Sequence, residues 1–93
     1  MREPLNRNEA KKLIGLIYRE GSVVYSRHCF KELEADGMST LDVENVLRAG
    51  RIMREPEEEN GTYRYRVETP LMAVVVAFRS ETEICIVTAW RKK

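Results

Sequence analysis

The chain predicts an α+β fold, with N-terminal helices packed on one face of a twisted, mainly antiparallel sheet of four to five strands. Three observations carry this. Apolar residues recur at helical spacing through the first half, the period changes to two after Arg51, and the later apolar runs are joined by hairpin-length connections. With 93 residues the chain makes one domain spanning residues 1–93, whose core is two layers deep. Its 43% hydrophobic and 33% charged residues exclude a disordered composition.

The first helix is expected over residues 8–20. Asn6 and Glu9 have the spacing of a capping box, and Ala10, Leu13, Ile14 and Ile17 follow on one stripe before Gly21. Val23, Val24 and Tyr25 form a short strand. Ser26 caps a second helix that runs from Arg27 to about Asp36, turns Phe30 and Leu33 inward and ends at Gly37. Ser39 or Thr40 opens a third, with Asp42 and Glu44 near its start and Val43, Val46 and Leu47 buried, stopped by Gly50.

Ile52 and Met53 are expected to open a strand that Pro56 limits. Asn60-Gly61 is a hairpin signal, and beyond it Tyr63, Tyr65 and Val67 alternate with Arg64, Arg66 and Glu68. Met72 to Phe78 is almost wholly apolar and reads as a central strand covered on both faces. In the last strand Ile84, Ile86 and Thr88 alternate with Cys85, Val87 and Ala89, after a turn at Arg79-Ser80-Glu81-Thr82.

No apolar run is long enough to span a bilayer, so no membrane association is expected and the cytoplasm is the expected location. Cys29, Cys85 and a lone histidine, His28, lack metal-ligand spacing; buried free thiols and no metal or cofactor are expected. The net charge of +1 is uninformative, but its distribution is not. Acids crowd Glu55 to Glu59, while bases gather at Arg48, Arg51 and Arg54, at Arg64 and Arg66, and in the tail Arg91-Lys92-Lys93. Convergence of these groups would give a nearly neutral chain a positive face.

The runs Tyr25 to Leu33, Gly37-Met38-Ser39 and Val43 to Ile52, with the ending Ile86-Val87-Thr88-Ala89-Trp90, resemble a small bacterial domain of unknown function. Its genes are often found beside a zinc-finger antitoxin of the YgiT type. The resemblance covers roughly residues 23–90 and leaves the first helix as an addition. Members of that domain look like relatives of the RelE, HigB and MqsR toxins, small ribonucleases of a shared α+β fold. The resemblance therefore implies a toxin of a type II toxin–antitoxin system that cleaves messenger RNA, in some cases on the ribosome, with an antitoxin protein as partner. One departure stands out: the family commonly reads His-Ala-x-x-Arg, whereas this chain has His28-Cys29-Phe30-Lys31-Glu32. The acid at position 32 weakens a phosphate-binding role there and creates an i,i+4 pair in which Glu32 orients the imidazole.

Metal-free RNA cleavage needs a base for the ribose 2′-hydroxyl, cations for the phosphorane and an acid for the leaving oxygen. The catalytic candidates are His28, in a first helical turn that disfavours its cationic form, and Arg64 and Arg66, which share one strand face. Arg48, Arg51, Trp90, Arg91 and Lys92 are candidate RNA-binding residues, the arginines and lysine by charge and Trp90 by stacking. Tyr63 and Tyr65, on the opposite strand face, are expected in the core. His28 is expected to act chemically only where the sheet brings Arg64 or Arg66 to the same phosphate. The competing expectation is a non-catalytic RNA- or protein-binding domain on this fold. A degenerate or immunity-like member, its chemistry lost with the arginine that Glu32 replaces, is the third.

Overall fold

The computed structural model describes residues 1–93. Helix α1 spans Arg7–Glu20 and begins as its cap dictates: the Asn6 side chain accepts from the Glu9 amide at 2.8 Å, and Glu9 Oε1 accepts from the Asn6 amide at 3.0 Å. Strand β1 (Ser22–Tyr25) passes through Ser26 into helix α2 (Arg27–Ala35). The Ser26 hydroxyl accepts from the Cys29 amide at 3.0 Å and donates to the Val87 carbonyl at 2.7 Å, so one group both caps α2 and ties it to the sheet. Helix α3 (Thr40–Ala49) is capped by Ser39, with Asp42 completing the box.

Four further strands follow: β2 (Glu57–Glu59), β3 (Thr62–Glu68), β4 (Met72–Phe78) and β5 (Glu83–Arg91). The sheet order is β1-β5-β4-β3-β2. Strands β2 to β5 pair antiparallel, as their short connections require, while β1 joins the far edge parallel to β5 after the helices have crossed over. The β2–β3 turn is made by Asn60 (φ 53°) and Gly61 (φ 79°), the two successive positive values of a tight hairpin.

On α2, Leu33 is buried but Phe30 does not turn inward; it is 53% exposed and stacks on the Tyr25 ring. Three expectations about the sheet are also corrected. Ile52 and Met53 do not open a strand; Ile52 turns into the core, and the chain meets the sheet only at Arg51, which exchanges two backbone hydrogen bonds with Glu68 at 2.8 and 2.9 Å. The strand forms after Pro56 instead, because proline has no N–H for a ladder and the Asn60-Gly61 turn sets register from the other end. Strand β4 is covered by helices on one face only. Val74, Val76 and Phe78 join the core, whereas Ala73 and Ala77 on the other face are sheltered by neighbouring side chains alone.

The third correction concerns β5. A bulge sets Val75 opposite Thr88 but Val76 opposite Ile86, leaving Val87 as the extra residue. The alternation changes phase there. Ile84 and Ile86 face the helices, but after the bulge it is Ala89, and not Thr88, that joins them in the core.

One hydrophobic cluster fills the space between sheet and helices. Ala10, Ile14 and Ile17 of α1, Cys29 and Leu33 of α2, and Val43, Val46 and Leu47 of α3 meet Tyr65, Val67, Val74, Val76, Ile84 and Ile86. Helix α1 is thus part of the core, not an appendage to it. Gly50 ends α3 in close approach to β3: a Cβ there would lie 2.6 Å from the Val46 carbonyl oxygen and 2.8 Å from that of Glu68. Only a glycine lets the chain turn there into the bridge that fixes Glu68. No helix is long and apolar enough to cross a membrane.

Candidate nucleic-acid interface

All three helices lie on one side of the sheet, so the strands' outward side chains form a face that no helix covers. Strand β3 supplies Arg64, Arg66 and Glu68 to it, because Tyr65 and Val67 between them point into the core. The β5 bulge decides what faces them. Glu68 is in register with Ala73, and Ala73 with Trp90, so carboxylate, small residue and indole form one row across the sheet.

The Arg66 guanidinium lies over the Trp90 ring, 4.7 Å from its centroid. Beside it, Glu68 is only 4% exposed and gathers three cations: Lys92 Nζ at 2.8 Å and Arg66 at 3.4 Å on Oε1, and Arg54 Nε at 3.6 Å from Oε2. The Lys92 hydrogen bond, against the opposing effect of burial and with help from the nearby guanidinium charges, holds the Glu68 carboxyl below its usual range. Arg64 pairs with Glu59 at 3.1 Å, in the hairpin where Glu57 lies opposite it. The Nε atoms of Arg64 and Arg66 are buried without hydrogen-bond partners.

The structure brings together four of the residues singled out in the sequence, Arg66, Trp90, Lys92 and Arg51, and holds Arg64 further along the same strand. Arg51 lines a cavity of about 390 Å³ at the end of β3 with Glu68, Thr69 and Lys92. The other candidates lie elsewhere. His28 is on α2, its side chain 66% exposed, with its Nε2 3.5 Å from Glu32 Oε1: the expected i,i+4 pair forms. The strand leading into α2 is separated from β3 by β5 and β4, roughly 14 Å of sheet, and α2 packs on the helix side. The imidazole pairs with Glu32 and with neither arginine, although Ser26, two residues before it, lines a cavity of about 500 Å³ together with Arg64.

Arg91 also leaves the face. The bulge turns it toward α2, where its Nε donates to the Asp36 carbonyl at 2.9 Å, its guanidinium donates to the Gly37 carbonyl at 3.1 Å, and its amide donates to the Asp36 carboxylate at 2.9 Å. It fastens the end of a helix, where cations are favoured by the dipole. Arg48 bonds Asn45 at 2.7 Å on α3, on the helix side. Tyr65 is buried as expected, and its hydroxyl donates to Glu3 at 2.8 Å. Both cysteines are buried and unpaired; burial pushes the Cys29 thiol up to about 11. No cluster of side chains could hold a metal ion.

Glu68 was not singled out in the sequence, and Arg54 only as a member of a basic group with Arg48 and Arg51. The one available signal was the Arg64-x-Arg66-x-Glu68 alternation, which places an acid on the same strand face as two bases; its burial among cations from three segments has no local signature.

These features define a small α+β domain with a helix-free sheet face, cationic around one buried carboxylate. The chain belongs to the family described as domain of unknown function DUF4258, whose model matches residues 25–91. The match takes in β2 to β5 and every residue of the cationic cluster except Lys92, and leaves out α1 and most of β1. No curated protein and no solved structure matched the chain.

Proposed function

We propose that the protein engages messenger RNA across the open face of its sheet and cleaves it without a metal, as a toxin related to RelE, HigB and MqsR with an antitoxin partner of the YgiT type. The observation that carries this reading is the Arg66–Trp90 stack beside Lys92, Arg54 and Arg64, all on the side that the helices leave free. Guanidinium and ammonium groups neutralise backbone phosphates, and an indole at a strand end offers a surface on which an unpaired base stacks. The same cations would stabilise a pentavalent phosphorane in place, since they are already gathered before substrate arrives.

A second reading, RNA binding without cleavage on this face, is favoured by the position of His28. The chain's only histidine is paired with Glu32 and makes no contact with Arg66 or the cations around Glu68. For cleavage, the proton-transfer group then comes from the open face or from the ribosome.

One experiment separates the readings. Purified protein is incubated with single-stranded RNA, alone and with translating ribosomes, and both binding and strand scission are followed for the unaltered chain, Arg66→Ala, His28→Ala and Arg91→Ala. Scission that falls at least tenfold in Arg66→Ala and persists in His28→Ala is the expected result. Binding that depends on Arg66 without scission under either condition leaves the second reading. RNA affinity unmoved by Arg66→Ala but lost in Arg91→Ala overturns the assignment of the open face.

A further inference from the structure

The two oxygens of the Glu68 carboxylate are unequal. Oε1 is taken up by Lys92 and Arg66, whereas Oε2 is buried with no hydrogen-bond partner, the nearest cation being Arg54 Nε at 3.6 Å. A buried carboxylate oxygen without a donor is costly, and native structures leave few. Arg54 is 58% exposed and its one ion pair is this long contact, so its side chain is free to move to a stronger anion and leave Oε2 without its nearest cation. The carboxylate borders the cavity of about 390 Å³ that Arg51, Thr69 and Lys92 also line.

A ligand that suits this arrangement must carry an anion for the cations and, close beside it, a hydroxyl that can donate to Oε2. A bare phosphate does not, since its oxygens would be repelled by the carboxylate. A ribose does: its 2′-hydroxyl is a donor, adjacent to the 3′-phosphate. Deoxyribose has the phosphate and no donor.

We propose that Glu68 is the residue by which this protein selects RNA over DNA, its Oε2 accepting a hydrogen bond from a ribose 2′-hydroxyl while Lys92, Arg54 and Arg51 hold the neighbouring phosphate. The proposal rests on the RNA-binding part of the functional reading and not on cleavage. The contact is one of recognition, with Glu68 as an ionised acceptor among Arg54, Arg66 and Lys92.

The test compares three short single-stranded probes of one sequence, as RNA, as DNA and as 2′-O-methyl RNA, by fluorescence anisotropy with the RNA checked for integrity afterwards. The full chain is expected to bind RNA at least about tenfold more tightly than the other two, the scale of a hydrogen bond to a charged acceptor. In Glu68→Gln that ratio falls toward one. Because all three probes carry the same phosphate charge, the change in protein charge cancels in the ratio. Arg54→Ala is expected to weaken RNA and DNA together and leave the ratio in place. Equal binding of RNA and DNA by the full chain, or a folded Glu68→Gln that keeps the preference, overturns this inference while leaving nucleic-acid binding intact. Failure to bind any probe overturns it together with the functional reading. Should Glu68→Gln not fold, the RNA to 2′-O-methyl ratio of the full chain decides, and a ratio near one is again fatal.

Discussion

At Glu68 two opposing effects meet. Burial favours the neutral acid, while the hydrogen bond from Lys92 and the charges of Arg66 and Arg54 favour the carboxylate, and the second effect is larger. The folded-state value therefore lies below the ordinary carboxyl value of 4.5. A depressed value contributes stability that is fully present above the unfolded-state value and is lost as pH falls through the folded one. Glu68→Gln should accordingly cost about 1 kcal/mol at pH 7, a modest sum because the cations are partly solvated and screened. The difference from the unaltered chain should begin to narrow as pH falls through the ordinary carboxyl value and close once the folded-state carboxyl is protonated, in urea titrations run across that range. A gap that stays constant with pH would show that the carboxylate charge is not what stabilises the fold. Residues whose role is set by their own neighbours in the chain were legible: Ser26 and Asn6 as caps, Glu32 as the partner of His28. Arg91 was not, since its partners Asp36 and Gly37 lie more than fifty residues away along the chain.

Among the elements, α1 shows most directly how packing exceeds local pattern. Its capping box and apolar stripe predicted the helix itself over 8–20, but not its rank in the fold. Ala10, Ile14 and Ile17 are almost fully buried, so a helix outside the family match of residues 25–91 completes the core beneath β1 and β5. Ile17→Ala is expected to destabilise by about 3 kcal/mol, the cost of a cavity among residues that cannot collapse around it. Denaturant unfolding measures this, and a loss below about 1 kcal/mol would return α1 to the standing of an appendage. The bulge in β5 is the converse case. A period-two pattern through Ile84, Ile86 and Thr88 carries no mark of the extra residue, because the bulge arises from pairing with β4. Yet that one residue puts Trp90 and Lys92 on the open face and Arg91 on the helix side.

For the whole molecule, a net charge of +1 conceals a strong local field. The acids of β2 hold Arg64 at one corner, and Arg54, Arg66 and Lys92 surround a single carboxylate. RNA affinity should therefore fall with salt despite the near-neutral chain. If Arg54, Arg64, Arg66 and Lys92 each meet one phosphate, a single strand would give a log–log slope of about −3, and Arg66→Ala would reduce its size by about 0.7. Titrations over a series of potassium chloride concentrations read this directly. A slope near zero would mean that a protein partner, and not a phosphate backbone, occupies the face.

The amino-acid sequence by itself determined the number and kind of the main elements, the side of β3 that carries arginine, and the layering of helices on one face. Those follow from periodicity, caps and turns, which are properties of residues a few positions apart. Only the tertiary structure decided that β1 pairs parallel beside β5, that Arg91 fastens the end of α2, and that Glu68, Arg54, Trp90 and Lys92 share one site. Each of these depends on register and sheet order between segments distant in the chain, and a single bulge is enough to reverse which face a side chain meets.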